Sequence, residues 1–220
     1  MSTMTRRATN PAALAPDWRV SAACSGTDVE DFFNDSAAAQ VYAQRVCQRC
    51  PVRRACLTDA VGYEHDGYML WGVVGGLTST QRRALRCEVF LGNRPNLRQA
   101  HVLASPEVAG VLRPVLDWPA DLVAGELRKH GLLASPVTVR VALWWAGGKG
   151  GVLGPRQEGD GRYLWERVRD ESREVVEQLR GMGFGRRDVA AYLMVSEDAI
   201  GKAVHAWRAG DAAIVEGVAA

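Results

Sequence analysis

The chain has 220 residues, of which 47% are hydrophobic and 24% charged, with a formal net charge of +2. These are ordinary globular values and exclude wholesale disorder. A balance so near zero offers no whole-chain electrostatic argument for nucleic acid, so any such case rests on local clusters.

Residues 1–17 are polar and proline-punctuated and read as a flexible tail. They lack an apolar core of the length a signal peptide needs. The later stretch "VTVRVALWWAGG" is too short to span a bilayer and carries an Arg. The expectation is a cytoplasmic protein with no membrane partner, in a compartment where thiols stay reduced. There a cysteine cluster reads as a metal or redox site before it reads as a disulfide framework.

Four of the five cysteines follow the pattern Cys24-x22-Cys47-x2-Cys50-x5-Cys56. The segment "AAAQVYAQRV" (37–46) reads as a helix, and Pro51 suits the first position of the next one, where the backbone N–H would lack a partner anyway. Two helices meeting at the C-x-x-C, with Cys24 supplied by the preceding loop, bring four thiolates to one point. Four thiolates suit tetrahedral zinc or an iron–sulfur cluster. Zinc ribbons and fingers usually show two paired knuckles, so a single pair with one distant Cys tilts toward a cluster without excluding zinc. The plainer alternatives are scattered buried thiols or a thioredoxin-like disulfide reductase using Cys47 and Cys50, although no βαβ pattern surrounds the pair. Cys87 lies outside the spacing and reads as a bystander. In the acidic run "DVEDFFND" (28–35), adjacent Phe32 and Phe33 put one ring on each side, one to cover the cysteines and one to pack elsewhere.

Gly72, Gly75 and Gly76 fall within five residues and predict a tight turn. Thr78 or Ser79 is placed to cap the helix "TSTQRRALR" that follows. With "AAC" at 22–24, "DFF" at 31–33, "CQRCPVRRACL" at 47–57 and "GVVGGLTSTQRRALR" at 72–86, residues 18–86 resemble the WhiB-like family of iron–sulfur transcription factors of actinobacteria and their phages. The resemblance implies that Cys24, Cys47, Cys50 and Cys56 bind a [4Fe–4S] cluster. It also implies that the turn formed by Trp71, Gly72, Val73, Val74, Gly75 and Gly76 supports the cluster pocket and meets region 4 of the primary sigma factor of RNA polymerase. The family turn is Gly-Val/Ile-Trp-Gly-Gly; here Val74 takes the Trp position and Trp71 precedes the first glycine. Family members commonly carry a basic segment next, and Arg82, Arg83, Arg86, Arg94 and Arg98, opposed only by Glu88, would reach double-stranded promoter DNA.

Residues 87–117, with "GNRPN" and "SPEV", read as a linker holding a short helix, and residues 118–220 as a helical region. A faint repeat relates 121–148 to 188–210, separated by the Gly-rich stretch 147–162. Residues 163–183 read as one supporting helix, with Leu164, Val168, Val175, Leu179 and Met182 at helical spacing. At about 186–209 the sequence has a helix-turn-helix pattern: Val189, Ala190 and Leu193 face inward, Ser196 caps the second helix, and Ile200, Val204 and Trp207 are buried. Its outward residues would be Glu197, Asp198, Gly201, Lys202, His205 and Arg208, with Arg186 and Arg187 on phosphates.

The fold class expected is mainly α, a small helical four-cysteine iron–sulfur module followed by a helical helix-turn-helix-like region. The function expected is a transcriptional regulator whose cluster senses redox state or nitric oxide and which binds a sigma factor and promoter DNA. A zinc-stabilised adaptor that binds protein only is the alternative. No catalytic constellation is present, so no enzyme is expected.

Overall fold

The structure, a computed structural model, describes residues 18–64, 71–148, 150 and 161–218. The expected tail at 1–17 and most of the Gly-rich separator lie outside the described residues. Among the described residues the architecture is helical, and the one β-bridge joins Val74 to Leu77. After a 3-10 turn at Trp18–Ser21 come α1 (Glu30–Phe33), α2 (Ala37–Gln48), α3 (Arg53–Tyr63) and α4 (Ser79–Phe90). Then follow α5 (Leu97–Leu103), α6 (Pro106–Leu112), a 3-10 turn at Arg113–Val115, α7 (Ala120–Lys129) and α8 (Pro136–Trp145). The chain closes with α9 (Leu164–Glu171), α10 (Arg173–Gly181), α11 (Arg186–Leu193) and α12 (Glu197–Val218).

Hydroxyl and amide side chains start many of these helices, each occupying a first-turn N–H that the helix itself cannot pair. Ser36 accepts from Ala39 N, Asn96 from Gln99 N and Ser196 from Ala199 N. Thr78 and Gln81 form a reciprocal capping box at α4. Ser135 caps α8 with Pro136 in its first turn.

The expected linker is in fact folded core. α4 runs on to Phe90, and Ala100, Leu103 and Leu112 of α5 and α6 are buried with Leu57, Leu77 and Leu85 around α8. The apolar spacing within 97–112 outweighs its turn residues, because that face closes the core over α8. The single helix expected over 163–183 is broken at Ser172, whose φ of −133° leaves the helical region and whose side chain is buried. The break turns Val176 fully into the second core and leaves Val175 partly buried against it.

That second core joins Val168, Val176, Leu179, Val189, Leu193, Ile200 and Trp207 to Cys87 of α4. Cys87, outside the four-cysteine spacing, is fully buried in the α4–α11 seam, and burial pushes its thiol up to about 12. The two cores are pinned by Arg140 of α8, which donates to Glu88 Oε1 at 3.0 Å, to Gly150 O at 2.8 Å and to Tyr192 O. Its guanidinium also lies 5.0 Å from the Trp144 and Tyr192 rings.

Candidate metal centre

Cys24 follows the first 3-10 turn, Cys47 lies in the last turn of α2, Cys50 sits in the link, and Cys56 lies in the first turns of α3. The link is tight: Cys50 N bonds Cys47 O at 3.1 Å and Arg53 N bonds Cys50 O at 3.2 Å. α3 thus starts at Arg53, two residues after Pro51. The four thiols are neighbours. Burial pushes Cys47 up to about 12, with Cys56, Cys50 and Cys24 each adding to the rise. Cys56 is raised by burial first, and by Cys24 and Cys50 among its neighbours. Phe32, Ala43 and Val73 wall the site, while Phe33 is half exposed. Ala23 N donates to Cys50 Sγ at 3.4 Å.

The glycine turn completes the site. Val74 and Leu77 exchange backbone bonds of 3.0 and 3.1 Å, leaving Gly75 and Gly76 as a two-residue loop with φ of 58° and 78°. Two positive φ values define a type I′ turn, which only residues without a Cβ enter freely. Close approach is required as well, since a Cβ on Gly75 would lie 2.6 Å from Leu57 Cβ, and one on Gly72 would lie 2.3 Å from Phe32 O. Wedged between α1 and α3, the turn aims the Gly76 N–H at Cys47 and the Gly75 N–H at Cys56. These amide donors were not visible as thiol partners in the sequence; the adjacent glycines were the only signal. Of the six turn residues, Trp71 is 69% exposed and Val74 half-buried, and the other four are buried.

Arg82 is not at the surface. It is 2% exposed, and its Nε lies 2.9 Å from both Glu64 carboxylate oxygens. Its other nitrogens donate to Gly72 O, Leu77 O and Trp71 O at 3.0, 2.7 and 2.7 Å, so it clamps both ends of the turn. Arg83 pairs with Asp188 of α11 at 2.9 Å, and Arg86 lies 3.8 Å from the same carboxylate and over the Phe184 ring. These three arginines, expected on DNA, hold the fold together because both faces of α4 are covered. Arg94 and Arg98 are exposed.

Residues 18–85 match the family described as "Transcription factor WhiB". WhiB2 of Mycolicibacterium smegmatis, named a transcriptional regulator, is 37% identical over 76 residues, 34% of this chain and 56% of that protein. The chain thus spans little more than half of that relative. WhiD of Streptomyces coelicolor is 34% identical over 111 residues, 47% of this chain and 94% of that protein. WhiB1 of Bifidobacterium longum is 38% identical over 91 residues, 39% of this chain and 95% of that protein. The chain belongs to the WhiB family. No solved structure matches it.

In this WhiB-family chain the turn is also gripped by the region that follows the matched segment. Trp145 of α8 donates from Nε1 to Gly75 O at 2.8 Å, and its ring lies where a Cβ on Gly76 would make a 3.1 Å contact. Arg53 stacks over that ring at 4.4 Å and meets His101 Nδ1 of α5 at 3.2 Å.

Beyond α8, α11 ends at Met194, the one non-glycine residue with positive φ (56°) among those described, and Ser196 opens α12. Trp207 anchors α12 to α9 through a 2.9 Å bond to Arg169 O. Glu197, Asp198, Lys202, His205 and Arg208 are exposed, as are Arg186 and Arg187, and Gly201 is half-buried. Lys202 is paired with Asp198 at 2.9 Å. Arg186, His205 and Arg208 line a cleft of about 410 Å³ together with Arg180, which the sequence did not single out because its facing depends on the break at Ser172. Arg187 is not among the cleft's lining residues. The α7–α8 pair offers no comparable face, since every residue from Val137 to Trp145 is buried. Among the described residues no helix is long and apolar enough to cross a membrane.

Proposed function

We propose that Cys24, Cys47, Cys50 and Cys56 hold a [4Fe–4S] cluster in a transcriptional regulator. In this reading Trp71 and Val74 face region 4 of the primary sigma factor, and the cleft side of α12 faces promoter DNA. The observation that carries it is the convergence of four thiols backed by amide donors from Gly75, Gly76 and Ala23. An N–H directed at sulfur favours the thiolate, the form that ligates iron. The donor set is thiol throughout, which suits a cluster.

The ligand pattern favours a cluster over zinc, since zinc ribbons and fingers usually show two paired knuckles and here one C-x-x-C pair is joined by Cys24 and Cys56. A disulfide reductase is less well supported, because no strand flanks Cys47 and Cys50 among the described residues, and burial pushes the Cys47 thiol up.

When bound, the cluster supplies one-electron redox chemistry and a target for oxygen or nitric oxide. The chain's own residues would cover and position it: Phe32 and Val73 pack with Cys47 and Cys24, and Arg82 fixes the turn. On the DNA side, Arg180, Arg186 and Arg208 suit phosphate contacts, whereas Glu197 and Asp198 oppose approach at the first turn of α12.

Anaerobic purification with iron, sulfide and zinc assays tests the centre. A brown protein with matched iron and sulfide supports the cluster, and stoichiometric zinc favours the adaptor instead. Copurification of the sigma factor lost in Trp71→Ala supports the contact, and retention in that variant counts against it.

A further inference from the structure

We infer that Arg53 is the counter-ion of the cysteine centre, held in place by Trp145 and His101 of the region beyond the matched segment. The inference rests on the reading that the four cysteines bind an inorganic centre, whether iron–sulfur or zinc.

Among the described residues four arginines are buried: Arg53, Arg82, Arg140 and Arg167. A buried cation is strongly unfavourable unless it is paired. Arg82 has Glu64, Arg140 has Glu88 and Arg167 has Glu171. Arg53, 4% exposed, has no carboxylate partner among the described residues. Its Nη2 meets His101 Nδ1, its guanidinium stacks on Trp145, and its buried Nε has no hydrogen-bond partner.

What lies beside it is sulfur. Arg53 follows Cys50 by three residues and bonds its carbonyl, and its side chain packs on Gly76, whose N–H faces Cys47. Burial pushes the Arg53 guanidinium down, and negative charge on Cys47 and Cys50 works against that fall by favouring the cation. Four thiolates outweigh the double positive charge of a zinc ion or of an oxidised [4Fe–4S] core, so either centre is net anionic. The missing counter-charge for Arg53 is therefore the loaded centre itself.

The grip comes from α8 and α5. His101 is pushed down by burial and by the Arg53 and Arg54 charges, which keeps it a neutral acceptor for Nη2. Trp145 offers its ring face to the cation and ties the same turn through Gly75 O. Both residues lie outside residues 18–85. The grip on Arg53 therefore comes from residues outside the segment that matches the WhiB family model. A fixed cation favours uptake of one electron by the centre, and its removal opposes it.

Redox titration of the anaerobic full-length protein tests this, with iron content and helical circular dichroism measured alongside. Arg53→Met is expected to keep its iron and helix content and to lower the midpoint potential by at least 59 mV, tenfold in a one-electron equilibrium. Arg53→Lys should stay near the wild-type value, and His101→Leu should shift it the same way as Arg53→Met but less. An unchanged potential in Arg53→Met, or a shift in Arg53→Lys as large as that in Arg53→Met, overturns the inference. If Arg53→Met does not fold, His101→Leu decides: a lowered potential supports the inference and an unchanged one overturns it. If the wild type carries zinc and no iron, the cluster reading fails, and zinc transfer to a chelator takes over. Transfer at least tenfold faster in Arg53→Met supports the counter-ion role, and an unchanged rate overturns it. A wild type that binds neither metal overturns both.

Discussion

The pairs α7–α8 and α11–α12 each run from a Val-Ala-rich helix through a short turn to a Ser-capped helix, yet α8 is buried on every face and α12 exposes Lys202, His205 and Arg208. The difference lies in what surrounds the second helix. α8 carries Val137, Val139, Val141, Leu143 and both tryptophans around its whole circumference, and its single charge, Arg140, is spent on Glu88. Up to Asp211, α12 buries Ala199, Ile200, Ala203 and Trp207 along one stripe and turns Glu197, Asp198, Lys202, His205 and Arg208 to water. A helix-turn-helix pattern therefore describes a way of packing two helices. Only the outer face of the second helix decides whether it can read anything.

The comparison breaks most readily at Arg140. Arg140→Ala leaves Glu88 buried without its cation, and breaking such a pair costs about 3–5 kcal/mol. Urea denaturation should show that loss, and a loss under about 1 kcal/mol would mean that α8 is not the strut it is taken to be. Next comes Gly75→Ala, which forces a side chain into positive φ and against Leu57. The strain alone is on the order of 1–3 kcal/mol, and iron content should fall with the melting temperature. Arg186→Ala with Arg208→Ala probes the open helix. Stability should stay within about 0.5 kcal/mol, while DNA affinity drops alike for all sequences and the salt slope falls by about 1 per lost phosphate contact. An unchanged salt slope would remove α12 from the DNA surface. The smallest effect concerns the seam between the two cores. Cys87, with its thiol at about 12 and no exposure, should resist alkylation at pH 8 until the chain is denatured, as mass spectrometry would read.

Much of the site was legible because its signals are local. The Cys47–Cys50 spacing, the paired glycines and the Thr78 cap each act within a few residues, so their geometry follows from short-range sterics and hydrogen bonding. The same holds for Ser196 and the inward Val189, Ala190 and Leu193. What stayed hidden depends on partners far along the chain. Arg82 reads as basic surface until Glu64, 18 residues earlier, takes up its charge. Arg83 and Arg86 read the same way until Asp188 arrives 105 residues after Arg83. Trp145 meeting Gly75 across 70 residues has no local signature at all. The break at Ser172 was missed because Val175 and Val176 both fit a helical stripe, and only packing makes Val176 the deeper of the two.

The central claim is that four sulfurs share one iron–sulfur centre. Its most direct measurement is iron and acid-labile sulfide per chain, determined anaerobically for the wild type, for Cys→Ser at positions 24, 47, 50 and 56, and for Cys87→Ser. The account predicts about four of each in the wild type and in Cys87→Ser, with loss in each of the other four. Full iron and sulfide in any of those four variants, or a wild-type chain with neither, would contradict it.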